Sequence, residues 1–137
     1  MSGIFKPGNT KPRVLIVDNN PEFTFRALLF LQHTGRYLVW EENDPRSVLE
    51  TARAFQPDLI LLDLIMPELD GAEVAAQLGA DWTLRRVPIV FLTALITPEE
   101  ARHVRRIDGH RLVAKPVSSP DLVRIIEESL PSWRAAA

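Results

Sequence analysis

Four polar residues each stand directly after a short apolar run: Asp18 after residues 14–17, Asp63 after 59–62, Thr93 after 89–92 and Lys115 after 112–114. If those runs are strands of one parallel sheet, the four side chains gather at one edge. In the strand order argued below, Asp18 and Asp63 face each other across a single spacing of about 4.8 Å. Two carboxylates about 5 Å apart, at an effective dielectric of roughly 20, repel by roughly 3 kcal/mol, which calls for a shared proton or a cation. Mg²⁺ suits an all-oxygen pair, because it accepts one or two carboxylates, keeps waters and completes its shell with phosphate oxygens. Thr93, beside Asp63, needs only a short hydroxyl to touch a group carried there. Lys115, two strands and roughly 10 Å away, needs a long side chain. An acid flanked by a hydroxyl, an ammonium and a metal is a site for stabilising a phosphoryl group, and the acid itself can be the nucleophile.

The elements that must position these groups are legible in the apolar pattern. Residues 14–17, 37–40, 59–62, 89–92 and 112–114 are too short for helices and rich in β-branched or aromatic side chains, which predicts five strands. Between them, 21–33, 45–55, 71–78, 98–107 and 120–130 carry helical signals. Four of these begin with Pro at or near the first turn, where its missing N–H costs nothing. The last has Ser119 as an N-cap, Asp121 near the positive end of the helix, and Leu122, Ile125, Ile126 and Leu130 on one face. Alternating strands and helices predict an α/β fold with helices on both faces of a parallel sheet. Five strands in so short a chain favour a flavodoxin-like sheet of order 2-1-3-4-5 over a barrel, and ligands of such sheets bind beyond the carboxyl ends of the strands.

Composition narrows the function. The 137 residues suffice for one domain, expected over 12–131, between a flexible N-terminal segment (1–11) and a C-terminal tail (132–137). A formal charge of −2 argues against a general polyanion binder and gives no expectation of direct nucleic-acid binding. The absence of Cys removes disulfides, thiolate metal sites and Cys nucleophiles. His33, His103 and His110 show no metal spacing. There is no signal-like start and no apolar run of the roughly 18 residues a membrane span requires, so a soluble cytoplasmic protein without membrane insertion is expected.

With these residues set out, the sequence resembles a response-regulator receiver domain (CheY-like) of two-component signalling, over almost the whole chain. The matching segments are Val14-Leu15-Ile16-Val17-Asp18 with Asn19-Asn20-Pro21, Asp58-Leu59-Ile60-Leu61-Leu62-Asp63 with Met66-Pro67 and Asp70-Gly71, Pro88-Ile89-Val90-Phe91-Leu92-Thr93-Ala94, and Val113-Ala114-Lys115-Pro116. The resemblance implies that Asp63 accepts a phosphoryl group from a histidine kinase or phosphotransfer protein. It implies that Asp18 and the backbone carbonyl of Ile65 help hold Mg²⁺, that Thr93 contacts the phosphoryl oxygens and that Lys115 is their counter-charge. It implies a cis Lys115-Pro116 peptide, and places Ile65 and Leu95 on either side of the water that would hydrolyse the acyl phosphate. It also points to a downstream protein at the face of the fourth and fifth helices, where five Lys or Arg stand against three acids between Pro98 and Lys115. Such a protein is a signalling phosphoacceptor rather than an enzyme acting on a separate substrate.

Two positions depart from the family. Its second acid after the first strand is Asn19 here, whose amide can serve equally as a turn or cap residue or as an uncharged metal ligand. Three residues before Lys115, where the family has Tyr or Phe, stands Leu112. These departures motivate an alternative: a degenerate receiver acting as a phosphorylation-independent interaction scaffold. An aspartyl phosphatase would want an acid where Ile65 stands, and a nucleotide binder would want a phosphate loop that the chain lacks.

Overall fold

The structure, a computed structural model, describes residues 11–131. The expected C-terminal tail and all but Lys11 of the expected N-terminal segment lie outside them. Six strands, five helices and one short 3-10 turn follow in order: β1 (Arg13–Val17), α1 (Pro21–His33), β2 (Leu38–Glu42), the 3-10 turn Pro45–Ser47, α2 (Val48–Phe55), β3 (Leu59–Asp63), α3 (Gly71–Ala80), β4 (Ile89–Thr93), α4 (Pro98–His103), β5 (Arg106–Ile107), β6 (His110–Ala114) and α5 (Ser119–Ser129). The sheet order is β2-β1-β3-β4-β6-β5. The five strands expected from the sequence are parallel in the flavodoxin-like order, and the sixth adds to the β6 edge antiparallel.

Alternation along the strands divides the core. Val14 and Ile16 of β1 face the side packed by Ala27 and Leu31 of α1 and by Leu122, Ile125 and Ile126 of α5. Leu15 and Val17 face the other side, with Val48 and Ala52 of α2 and Val74 and Leu78 of α3. All residues of β3 and β4 are buried, as strands covered on both faces should be. Helix starts are fixed by side chains. Asn20 accepts from the Glu22 and Phe23 N–H groups, Asp70 from Glu73, and Thr97 and Glu100 cap each other reciprocally.

Several boundaries differ from expectation. Strand β2 runs to Glu42 rather than residue 40, because the ladder with β1 continues through Ile16↔Glu41 and Val17↔Glu42 whatever the side-chain polarity. The first turn of the second expected helix is 3-10, wound around the Asp44 cap, and Gln56 at φ 53° ends α2. Ser118 rather than Ser119 caps α5, since its hydroxyl is the one three residues before the Asp121 N–H it receives. The largest correction concerns α4, expected over 98–107. It stops at His103, and Arg106–Ile107 turn back through Asp108 (φ 51°) and Gly109 (φ 83°) to pair with β6. Asp-Gly with both residues at positive φ is a favoured two-residue hairpin turn, and the pairing it offers replaces the last helical turn.

Gly71 opens α3 against the end of β3. A Cβ there would lie 2.3 Å from the Asp63 carbonyl oxygen and 2.8 Å from the Leu64 Cα, and both neighbours are backbone. The Gly71 N–H donates to the Leu64 carbonyl at 2.7 Å, so the contact also ties the loop after Asp63 in place. Gly71→Ala is therefore expected to destabilise by about 1–3 kcal/mol. A lower urea midpoint at unchanged m checks this, and an unchanged midpoint refutes it.

Candidate functional site

The registers Val17↔Leu62, Asp63↔Leu92 and Thr93↔Ala114 bring Asp18, Asp63, Thr93 and Lys115 to one sheet edge. Asp18 and Thr93 are 2% and 1% exposed, and Asp63 is 8% exposed. The Lys115 ammonium crosses the strands between them to lie 2.5 Å from Asp18 Oδ2 and 3.9 Å from Asp63 Oδ1. Its reach agrees with the length argument, and in this state it sits closer to Asp18 than to Asp63. The Lys115-Pro116 peptide is cis.

Local hydrogen bonds hold each group. The Asn20 N–H donates to Asp18 Oδ1 at 2.9 Å, the Leu95 N–H donates to Thr93 Oγ1 at 3.1 Å, and the Lys115 N–H donates to the Thr93 carbonyl at 2.7 Å. Burial pushes the Asp63 carboxyl up to about 6, helped by the charge of Asp18. The Lys115 ammonium and the Ile65 N–H oppose that shift without cancelling it. The charged form of Asp63 is thus disfavoured by burial and by its neighbour Asp18, a penalty that a cation at this edge would relieve.

Asn19 is exposed, and among the described residues its side chain makes no hydrogen bond; the cap of α1 is Asn20. Ile65 and Leu95 are 48% and 68% exposed. Leu112 is buried, in register with Phe91. The oxygen donors present are the Asp18 and Asp63 carboxylates with neighbouring backbone carbonyls. No group of three His, Cys, Asp or Glu side chains able to hold a metal occurs among the described residues. That set fits a hard ion retaining water and phosphate ligands, as Mg²⁺ does, rather than a metal requiring an all-protein cage.

Two supporting residues were not anticipated. Asn43 Nδ2 donates to the Asp18 carbonyl at 2.7 Å and to Thr24 Oγ1 at 2.9 Å, tying the end of β1 to α1. Asn43 directly follows β2, so the rule that finds Asp18 and Asp63 would have found it had β2 been read to Glu42. The Phe23 ring lies 4.3 Å from Lys115 Nζ, within cation–π range. Nothing in the sequence marks that contact, which depends on how the first turn of α1 sits over the sheet.

Comparison with known proteins adds to this geometry. The family model described as "Response regulator receiver domain" matches residues 14–127. This chain belongs to the response regulator receiver family. Among similar receivers is the polar-differentiation response regulator DivK of Brucella anthropi, 30% identical over 117 residues, covering 85% of this chain and 94% of that one. The chemotaxis protein CheY4 of Vibrio cholerae superposes with a TM-score of 0.77 at 25% identity, covering 88% of this chain and all of that one. The signal receiver domain of a signal transduction histidine kinase from Syntrophus aciditrophicus gives 0.71 at 26% identity, covering 85% and 88%. Receiver domains serve two-component signalling, and the fold and strand order here are theirs.

Proposed function

We propose that this receiver is phosphorylated on Asp63 by a histidine kinase or phosphotransfer protein and passes the signal on through protein contacts. The observation that carries the reading is the Lys115 ammonium lying against both buried carboxylates, with Thr93 on the adjoining strand. A carboxylate oxygen of Asp63 attacks the donor's phosphorus. The bond from phosphorus to the donor breaks, the donor leaves with its electron pair, and an acyl phosphate remains. Lys115 then has a phosphoryl group to pair with in addition to Asp18, and the Thr93 hydroxyl can donate to a phosphoryl oxygen. Asp18, Asp63 and the Ile65 carbonyl would hold Mg²⁺, which when bound neutralises charge on the phosphoryl oxygens, and the Asn19 amide can serve equally as a further uncharged ligand or as a turn residue.

Cytoplasmic residence belongs to this reading; among the described residues no helix is long and apolar enough to cross a membrane. The downstream protein is assigned to the face formed by α4 and α5. The alternative, a phosphorylation-independent scaffold, draws support from Leu112, which is buried where the family's switching aromatic would stand. Intact-mass measurement after incubation with acetyl phosphate and Mg²⁺ separates the two: one added phosphoryl group supports the phosphoacceptor, and no addition supports the scaffold.

Asn19 sets a further expectation. An Asp at this position would add a negative charge to the ion's surroundings, so Asn19→Asp should tighten Mg²⁺ binding about tenfold or more, about 1.4 kcal/mol. Calorimetric titration of both proteins measures this. Equal affinities would put position 19 outside the metal's surroundings.

A further inference from the structure

The truncation of α4 and the hairpin that follows it concentrate positive charge at one end of the sheet. A groove of about 690 Å³ runs from α4 across β6 to α5, and among the described residues its walls carry Arg102, Arg105, Arg106, Arg111 and Arg124 against a single acid, Asp121. In a chain whose formal charge is −2, this is a segregated patch rather than a sample of the whole surface.

Its internal pairing leaves part of that charge uncompensated. Arg111 meets Glu128 at 3.0 Å, and Arg124 is shared between Asp121 and Glu128. Among the described residues the Arg105 and Arg106 side chains donate only to backbone carbonyls, those of Arg102 and Gly109. Among the described residues Arg102, Arg105 and Arg106 form no ion pair, and all three are exposed. Arg106 and Arg111 are moreover directly opposed in the β5–β6 ladder, an arrangement of like charges that disfavours the pairing it sits in. An anion bridging them would relieve that repulsion.

The floor of the groove is apolar: Leu112, Ala114, Val117 and Ile125 line it. Among the described residues no aromatic side chain lines it on which a base could stack, which argues against a nucleotide. Arginine forks match carboxylates bidentately, and an apolar floor beneath them suits aliphatic anchors. We propose that this groove binds an acidic segment of the partner protein, its carboxylates on Arg102, Arg105 and Arg106 and its apolar side chains on the floor. The inference rests on the α4–α5 face being the output surface and specifies the chemistry of what docks there.

The test uses the unphosphorylated full chain and a fluorescein-labelled peptide rich in Glu, with leucines one helical turn apart, followed by anisotropy. A second peptide replaces every Glu by Gln, and ADP serves as a competitor. The Glu peptide is expected to bind saturably, and the Gln peptide about tenfold more weakly or worse. Arg102→Glu combined with Arg105→Glu should weaken the Glu peptide about tenfold. Arg85→Glu combined with Arg86→Glu, the same charge change at exposed positions after α3, should leave binding unchanged. Equal losses in both double variants, equal binding of the two peptides, or displacement by ADP at lower concentrations than unlabelled peptide would each overturn the proposal. Phosphoryl gain from acetyl phosphate, measured on the same proteins, reports separately on Asp63. A chain that binds the peptide but gains no phosphoryl group overturns the phosphoacceptor reading and leaves the groove assignment standing.

Discussion

Asp63→Asn is expected to abolish phosphoryl incorporation from acetyl phosphate and Mg²⁺, leaving no mass gain under conditions where the wild type is modified. An amide in place of the carboxylate is a far weaker nucleophile, and among the described residues the other acid that meets Lys115, Asp18, follows β1, two strands from Thr93. Asp18 is the less available of the two, because its Oδ1 accepts from the Asn20 N–H and its Oδ2 is held by Lys115 at 2.5 Å. A phosphate-sized gain surviving the substitution would show that the nucleophile lies elsewhere.

The loss must be separated from unfolding, and the electrostatics of the pair provide the means. The folded state raises the Asp63 carboxyl from its ordinary 3.8 to about 6. A carboxyl raised on folding binds its proton more tightly in the native state, so its contribution to stability is present at low pH and is lost as pH climbs through that interval. Above it the ionised Asp63 works against the fold, with burial the first cause and Asp18 the second. The amide of the Asp63→Asn variant carries no charge to bury. In metal-free buffer at about pH 8 the variant should therefore unfold at a urea midpoint equal to or above that of the wild type, with the difference shrinking toward about pH 4. A variant that is markedly less stable at the higher pH would contradict this account of the carboxylate pair.

The juxtaposition of Asp18, Asp63, Thr93 and Lys115 was readable because all four obey one geometric rule, residence at the carboxyl end of a strand, and the strands announce themselves by short apolar runs. That rule needs only the order of the strands to convert sequence into proximity. It missed Asn43 for a local reason: Glu41 and Glu42 look like loop residues, yet backbone pairing to Ile16 and Val17 carries β2 through them. Hairpin β5–β6 was obscured by a competing pattern. Pro98, a capping box and well-spaced apolar residues favour a long helix, and the Asp108-Gly109 turn that ends it is a signal of only two residues. The requirement for glycine at position 71 comes from a backbone passing within van der Waals distance, and Phe23 meets Lys115 only through the docking of α1. Contacts of that kind depend on packing between elements, which no periodicity along the chain encodes.

Once formed, the acyl phosphate is expected to decay slowly, and replacing Ile65 by Asn together with Leu95 by Glu should hasten its loss. Ile65 and Leu95 each stand two residues beyond the groups proposed to hold the phosphoryl, Asp63 and Thr93, and both side chains are substantially exposed. Hydrolysis requires a water to approach the phosphorus opposite the bond to Asp63. Neither apolar side chain can hydrogen-bond that water, and both are large enough to crowd its path, whereas Ala94 leaves room for the donor. One aligned hydrogen bond to the attacking water is worth about 1 kcal/mol or slightly more, and each 1.4 kcal/mol of barrier is about a factor of ten in rate. The double variant should then decay about tenfold faster than wild type after donor is removed, followed by intact mass. Because both substitutions sit on exposed side chains, the fold should tolerate them, and the extent of phosphorylation at early times serves as the control. If the two proteins decay together, the lifetime is set instead by groups that hold the phosphoryl, with Lys115 and Thr93 the first to examine.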